Sequence, residues 1–354
     1  MLKADQKIRV SQSLQMVAII LNAFVCIIMI KVGAGIHIMK IASGLCFLIT
    51  PAGIKFYVRK HYSIAKTITD KSRKLPRKSD GIAHHISFFI HSNTDMVIIN
   101  IFKGVKEVSV YAIYTMVTVA IGSFLKAIAN GIAAKLGNII AKDDSENLNS
   151  TFEIYCTVNM TLSTYACIML ALFIVPFVAI YTDGITDVNY IRPAFAYFLV
   201  AAEWIAFIRI PYATSITSAG HYKQTKFGAI AEAAINIGVS IALVYKIGIA
   251  GVVLGTLISV SVRTIYFIWY LSHSILKRSA FLFIKSALVN LVLAILIIMF
   301  INSRMFVLPE SILGLLFEAI KTTVIVFPVV AVVNILENKV LRKRTKKFFL
   351  RNKK

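Results

Sequence analysis

The chain has 354 residues, 58% of them apolar or aromatic and only 16% charged, with a mean hydropathy of +0.77. A soluble globular domain carries about a quarter charged residues, so a disordered or ordinary soluble chain is excluded and a polytopic, all-α membrane protein remains. The 39 Lys+Arg against 16 Asp+Glu give a net charge of +23. These basic residues lie between long apolar runs, which is the pattern of membrane topology and not of a nucleic-acid surface.

A hydrocarbon core of about 30 Å takes roughly 20 apolar residues at 1.5 Å each. Ten runs meet that length: 14–30, 36–54, 83–102, 108–131, 155–181, 193–213, 227–245, 249–273, 281–301 and 312–336. The first follows Lys3, Lys7 and Arg9 but ends without a small-residue cleavage pattern, and a second run follows through KVGAG, so it reads as a retained span. Lys and Arg alternate between successive connections: the odd-numbered segments, N-terminus included, hold 27 and the even-numbered ones 6. The positive-inside rule then places both termini in the cytoplasm.

The second span is followed by RKHYSIAKTITDKSRKLPRKSDG, residues 59–81, a basic cytoplasmic linker by composition. It divides the chain into residues 1–58 and an eight-span remainder, 82–337, followed by a basic tail over 338–354. The remainder reads as six spans over 82–275 and two additional spans over 276–337. The stretch 21–45 is similar to 235–260: an Asn in the span (Asn22, Asn236), a Lys-x-Gly turn (Lys31 and Gly33, Lys246 and Gly248), then a span entered through Gly35 or Gly251. Paired halves of this kind build many transporters, with chance similarity between apolar hairpins as the competing explanation.

Cys26, Cys46, Cys156 and Cys167 all fall inside apolar runs, with no CxxC pair and no His at ligand spacing, so neither a disulfide framework nor a metal site is expected. No phosphate-binding loop, HExxH or GxSxG pattern occurs. No long extramembrane loop could house a catalytic domain. The expectation is a protein that is not an enzyme and carries no cofactor.

Ionisable residues inside spans are costly and mark candidate transport groups. Asp95, in HSNTD, lies roughly 18 Å from the cytoplasmic end of its span, and Arg263 roughly 15 Å from its own. Arg209, Glu232 and Lys126 lie within about 8 Å of that boundary. Asp95, Arg209, Glu232 and Arg263 are therefore the candidate translocation-cavity residues, which together would give a cavity both cationic and anionic groups. Snorkelling to the headgroups is the alternative for Arg209, Lys126 and Lys285. His91, one turn before Asp95, is a candidate proton relay or a bundle hydrogen bond; His84 and His85 sit at the cytoplasmic entrance. Glu318 and Lys321 should pair at i, i+3. Gly251 and Gly255 form a small-xxx-small pattern, and Pro176, Pro211 and Pro328 should bend their spans.

The segment DGIAHHISFFIHSNTDMVIINIFKGVKEVSVYAIYTMV (80–117), the opening MLKADQKIRVSQSLQ and the stretch KLGNIIAKDDSENLNSTFEIY (135–155) resemble bacterial polysaccharide transporters. These are the lipid-linked oligosaccharide flippases of the MOP superfamily. The resemblance implies two six-span lobes around a central cavity, often with two further helices, in the bacterial cytoplasmic membrane. The implied substrate is an undecaprenyl-linked repeat unit for capsule, O-antigen or exopolysaccharide. The family's first four spans have no counterpart here, so the implied partners, besides the bilayer and the lipid-linked oligosaccharide, are a missing helical part or a second copy. The alternatives are an ion-coupled drug antiporter of the same superfamily and an inactive fragment or assembly subunit.

Overall fold

The computed structural model describes residues 8–62, 93–304 and 311–338, and among them every regular element is a helix. Among the described residues nine helical stretches, two of them containing a break, are long and apolar enough to cross a membrane, as a polytopic membrane protein requires. The third span of the sequence reading, with His84, His85 and His91, falls largely outside the described residues, which resume at 93. The linker over 59–81 is described only to residue 62, and the tail only at Asn338. The chain divides into two compact units, 1–75 and 76–354.

The first unit holds α1 (Ile8–Lys31), α2 (Ile36–Phe47) and α3 (Ile49–His61). A single span was expected over 36–54, but the helix breaks at Leu48 and continues to His61. Pro51 explains the break: it lacks an N–H for the carbonyl of Phe47, one turn earlier. The α1–α2 turn ends on Gly33 at φ +71°, where Gly33 donates to Ile30 and Ala34 to Met29. Only glycine takes that conformation without strain.

In the second unit the described helices are α4 (93–103), α5 (Val105–Ala141), α6 (Ser145–Tyr181), α7 (Pro193–Ile208), α8 (Ile210–Ser218), α9 (Tyr222–Ile247), α10 (Ile249–Ser274), α11 (Phe281–Arg304) and α12 (Ile312–Glu337). The α9–α10 turn also has a positive-φ glycine, Gly248 at φ +63°, where the other hairpin has Gly33, but Gly248 donates to Val244 and α10 starts at the very next residue.

Two expectations are corrected here. Residues 132–154 were read as a connection between spans, yet α5 and α6 have 37 residues each and leave only Lys142–Asp144 between them. At 1.5 Å per residue each is about 55 Å long, well beyond a 30 Å core. The reason is an apolar stripe that continues past the membrane segment: Leu136, Ile139, Leu148, Phe152 and Tyr155 are buried together with Tyr212, Ile216 and Phe283. Asp144 then starts α6 as an N-cap, its carboxylate accepting from the Asn147 N–H at 3.0 Å. Second, the expected span 193–213 is two helices, broken at Arg209 and running to Ser218. Pro211 leaves the carbonyl of Phe207 without its helical donor, and the Asn159 side chain supplies one at 2.9 Å. Pro176 and Pro328, by contrast, lie inside unbroken helices.

Helices α9 and α10 meet through Gly251 and Gly255. A Cβ on Gly251 would sit 2.5 Å from the Leu243 carbonyl oxygen, and one on Gly255 2.3 Å from Ser240 Oγ and 2.8 Å from its backbone nitrogen. The GVVLG pattern is thus a close helix contact. Gly255→Val is expected to cost about 2–3 kcal/mol by overpacking, seen as a lower thermal midpoint of the detergent-solubilised protein. An unchanged midpoint would refute the contact. On the far side of α6, α11 and α12 are joined by a reciprocal amide pair, Asn290 donating to Asn334 Oδ1 at 3.0 Å and Asn334 to Asn290 Oδ1 at 2.9 Å. The expected i, i+3 pair is also present, with Lys321 Nζ 2.7 Å from Glu318 Oε2.

Candidate functional site

Between the apolar cluster of Ile99, Tyr114, Phe195 and Val252 and that of Phe152, Tyr212 and Leu271, the second unit carries a belt of buried polar groups. The four candidate residues of the sequence reading all lie in it, but as two clusters rather than one.

The first cluster is built on Glu232 of α9, 1% exposed. Its Oε1 accepts from Arg209 Nη1 at 2.6 Å, and its Oε2 accepts from Arg263 Nη1. Each helix contributes for a local reason. The Pro211 break turns the chain at Arg209, while α9 and α10 are held close by the glycine contact described above. Both guanidinium groups also lie against the Phe267 ring, at 5.9 Å for Arg209 and 4.8 Å for Arg263. Their side chains are only 15% and 13% exposed, so the snorkelling alternative for Arg209 is overturned: a buried carboxylate is the better partner. Glu232 thus accepts from two guanidinium groups at once, and Arg263 Nε is buried with no acceptor.

The second cluster surrounds Asp95, which is 3% exposed on α4. Gly104, at φ +85°, closes the α4–α5 hairpin and sets Asp95, nine residues before it, beside Tyr111, seven residues after it. Tyr111 donates to Asp95 Oδ2 at 3.1 Å, Thr256 of α10 to the same oxygen at 2.7 Å, and Asn236 of α9 to Oδ1 at 3.2 Å. Asn236 also donates to Thr256 at 2.9 Å, and its own Oδ1 is buried without a partner. The result is a compact set of oxygen atoms from three helices of the bundle and from α4.

Glu232 and Asn236 are one turn apart on α9, so the clusters are neighbours along the helix axis. Counting from the Gly248 turn, Asn236 lies about 18 Å and Glu232 about 24 Å along α9. The arginine cluster is thus nearer the opposite end of the bundle.

Glu203 joins them and was missed by the sequence reading. It accepts from Thr118 at 3.2 Å and lies within electrostatic reach of Lys126, Arg209 and Asp95. Its signal was in plain view, as the one carboxylate in the apolar run AFAYFLVAAEWIAF. Tyr111 and Thr256 gave no such signal, because hydroxyl groups are common in spans. Among the described residues no group of three or more His, Cys, Asp and Glu could hold a metal ion.

No family model matches the chain, and no curated protein matches it. A solved structure described as "protein A" is similar in fold, with a TM-score of 0.51 and 16% identity over 79% of this chain and 67% of that one.

Proposed function

We propose that the chain is a component of a flippase that moves lipid-linked, diphosphate-containing polysaccharide precursors across the bacterial cytoplasmic membrane by alternating access. The observation that carries this reading is the pair of guanidinium groups of Arg209 and Arg263 sharing the single carboxylate of Glu232, with Arg263 Nε left without an acceptor. A shared counter-ion holds two planar forks side by side in fixed positions, an arrangement suited to a diphosphate. The Asp95 cluster is the coupling group in this reading: its carboxylate, the unpartnered Asn236 Oδ1 and the Thr256 hydroxyl offer oxygen ligands to a proton or a small monovalent cation. No bond of the substrate is made or broken.

The test is complementation of a strain lacking its capsule flippase, with Arg263→Gln as the control. Restored capsule with the native chain and at least a tenfold loss with the variant supports the proposal. A failure of the native chain to restore capsule supports the assembly-subunit alternative. The carboxylates Asp95 and Glu203 keep one further reading in view, an antiporter of organic cations. Gradient-driven efflux of such cations from proteoliposomes, without capsule restoration, would favour it.

A further inference from the structure

A cavity of ≈ 430 Å³ lies between α6, α11 and α12, away from the arginine and aspartate clusters. Its charged lining is Glu153, Arg278, Lys285 and Glu337, two acids and two bases, beside apolar Met160 and Phe283. We propose that this cavity holds the headgroup of a zwitterionic phospholipid bearing a phosphate and a primary ammonium, as in phosphatidylethanolamine.

The depth is that of a headgroup. Lys285 is the fifth residue of α11 and Glu337 the last of α12, so both lie within about 6 Å of their helix ends. The charges are not spent on each other. Among the described residues no ion pair engages Arg278 or Glu153. Arg278 is set over the Phe152 ring at 4.9 Å, and its Nε is buried without an acceptor. Among the described residues Glu337 accepts only a hydroxyl, from Ser286 at 3.0 Å. A half-buried guanidinium whose Nε lacks an acceptor calls for an anion, and a carboxylate in the same cavity that is in no ion pair among the described residues calls for a cation. A ligand carrying both charges a few ångströms apart satisfies the two at once, whereas a purely anionic headgroup leaves Glu153 and Glu337 facing a like charge. Beside the cavity, Leu282 and Leu336 are each 58% exposed and Phe281 67%, an apolar wall along which acyl chains can lie.

The experiment is native mass spectrometry of the purified full chain offered equal amounts of phosphatidylethanolamine, phosphatidylglycerol and phosphatidylcholine. Phosphatidylethanolamine should be retained about tenfold over both others, because phosphatidylglycerol lacks the ammonium and phosphatidylcholine has no N–H to donate to a carboxylate. Glu153→Gln should remove that preference by weakening phosphatidylethanolamine while phosphatidylglycerol, relieved of one like charge, binds at least as well as to the native chain, and Arg278→Gln should weaken both. Glu337→Gln serves the same comparison if Glu153→Gln is not monodisperse. Equal retention of phosphatidylcholine, an unchanged preference in both carboxylate variants, or displacement by undecaprenyl phosphate would overturn the proposal. So would soluble phosphoethanolamine raising the thermal midpoint as far as the lipid does, since the lipid would then be unnecessary.

Discussion

Replacing Glu232 by glutamine is expected to be among the most destabilising single changes in the second unit. The side chain is 1% exposed and is the shared acceptor of Arg209 and Arg263. Its loss leaves two largely buried guanidinium groups facing each other with no anion between them. Removing one partner of a buried ion pair costs about 3–5 kcal/mol, and here the remaining like charges add repulsion. The thermal midpoint in detergent should drop accordingly, with expression reduced. The argument also predicts a rescue. In Glu232→Gln combined with Arg263→Met one of the two unbalanced charges is gone, so the double variant should be more stable than Glu232→Gln alone. The triple variant Arg209→Met, Glu232→Leu, Arg263→Met should recover stability near that of the native chain, because apolar residues of similar volume replace a buried triad at little cost. If the cluster serves transport, that stable triple variant should nevertheless be inactive. A triple variant that transports would show the triad to be structural only.

Where the sequence was legible, the reason is rarity. A charged residue in an apolar run costs several kcal/mol unless it has a partner or a cavity, so Asp95, Arg209, Glu232 and Arg263 stood out, and each is found in a polar cluster. The pairing of Glu318 with Lys321 was readable because i, i+3 neighbours are fixed by helix geometry alone. The turn glycines Gly33 and Gly248 were readable because few residues tolerate a left-handed backbone. What stayed hidden was tertiary. Nothing local says that Asp95 meets Asn236 and Thr256, 141 and 161 positions away, or that Glu232, not the headgroup region, takes Arg209. Helix ends were misjudged for a related reason: a hydropathy window stops where polar residues begin, while the stripe through Leu136, Ile139, Leu148 and Phe152 carries α5 and α6 onward. Pro51 shows that a break can be local in cause and still be overlooked inside a run of sufficient apolar length.

Asp95→Asn separates coupling from folding. The amide keeps nearly the shape of the carboxylate, and its oxygen can still accept from one neighbour, but its NH2 now confronts a donor from Tyr111, Thr256 or Asn236. Those hydroxyl groups can turn to accept, so the structural cost is expected at about 1–3 kcal/mol, enough to lower the midpoint without preventing purification. The charge, however, is lost at every pH. If Asp95 exchanges a proton during transport, the variant should lose all dependence of transport on an imposed pH gradient. Substrate binding through the separate arginine cluster should stay within about threefold of the native value, which is under 1 kcal/mol. Repeating the measurement with a sodium gradient at constant pH tells a proton from a small cation, since either would need the carboxylate. Unchanged gradient dependence in a folded Asp95→Asn protein would sink the coupling role. The hydrogen bonds from Tyr111, Thr256 and Asn236 would then have to be read as a structural lock between α4, α5, α9 and α10, which is the one other task a buried, multiply hydrogen-bonded carboxylate performs.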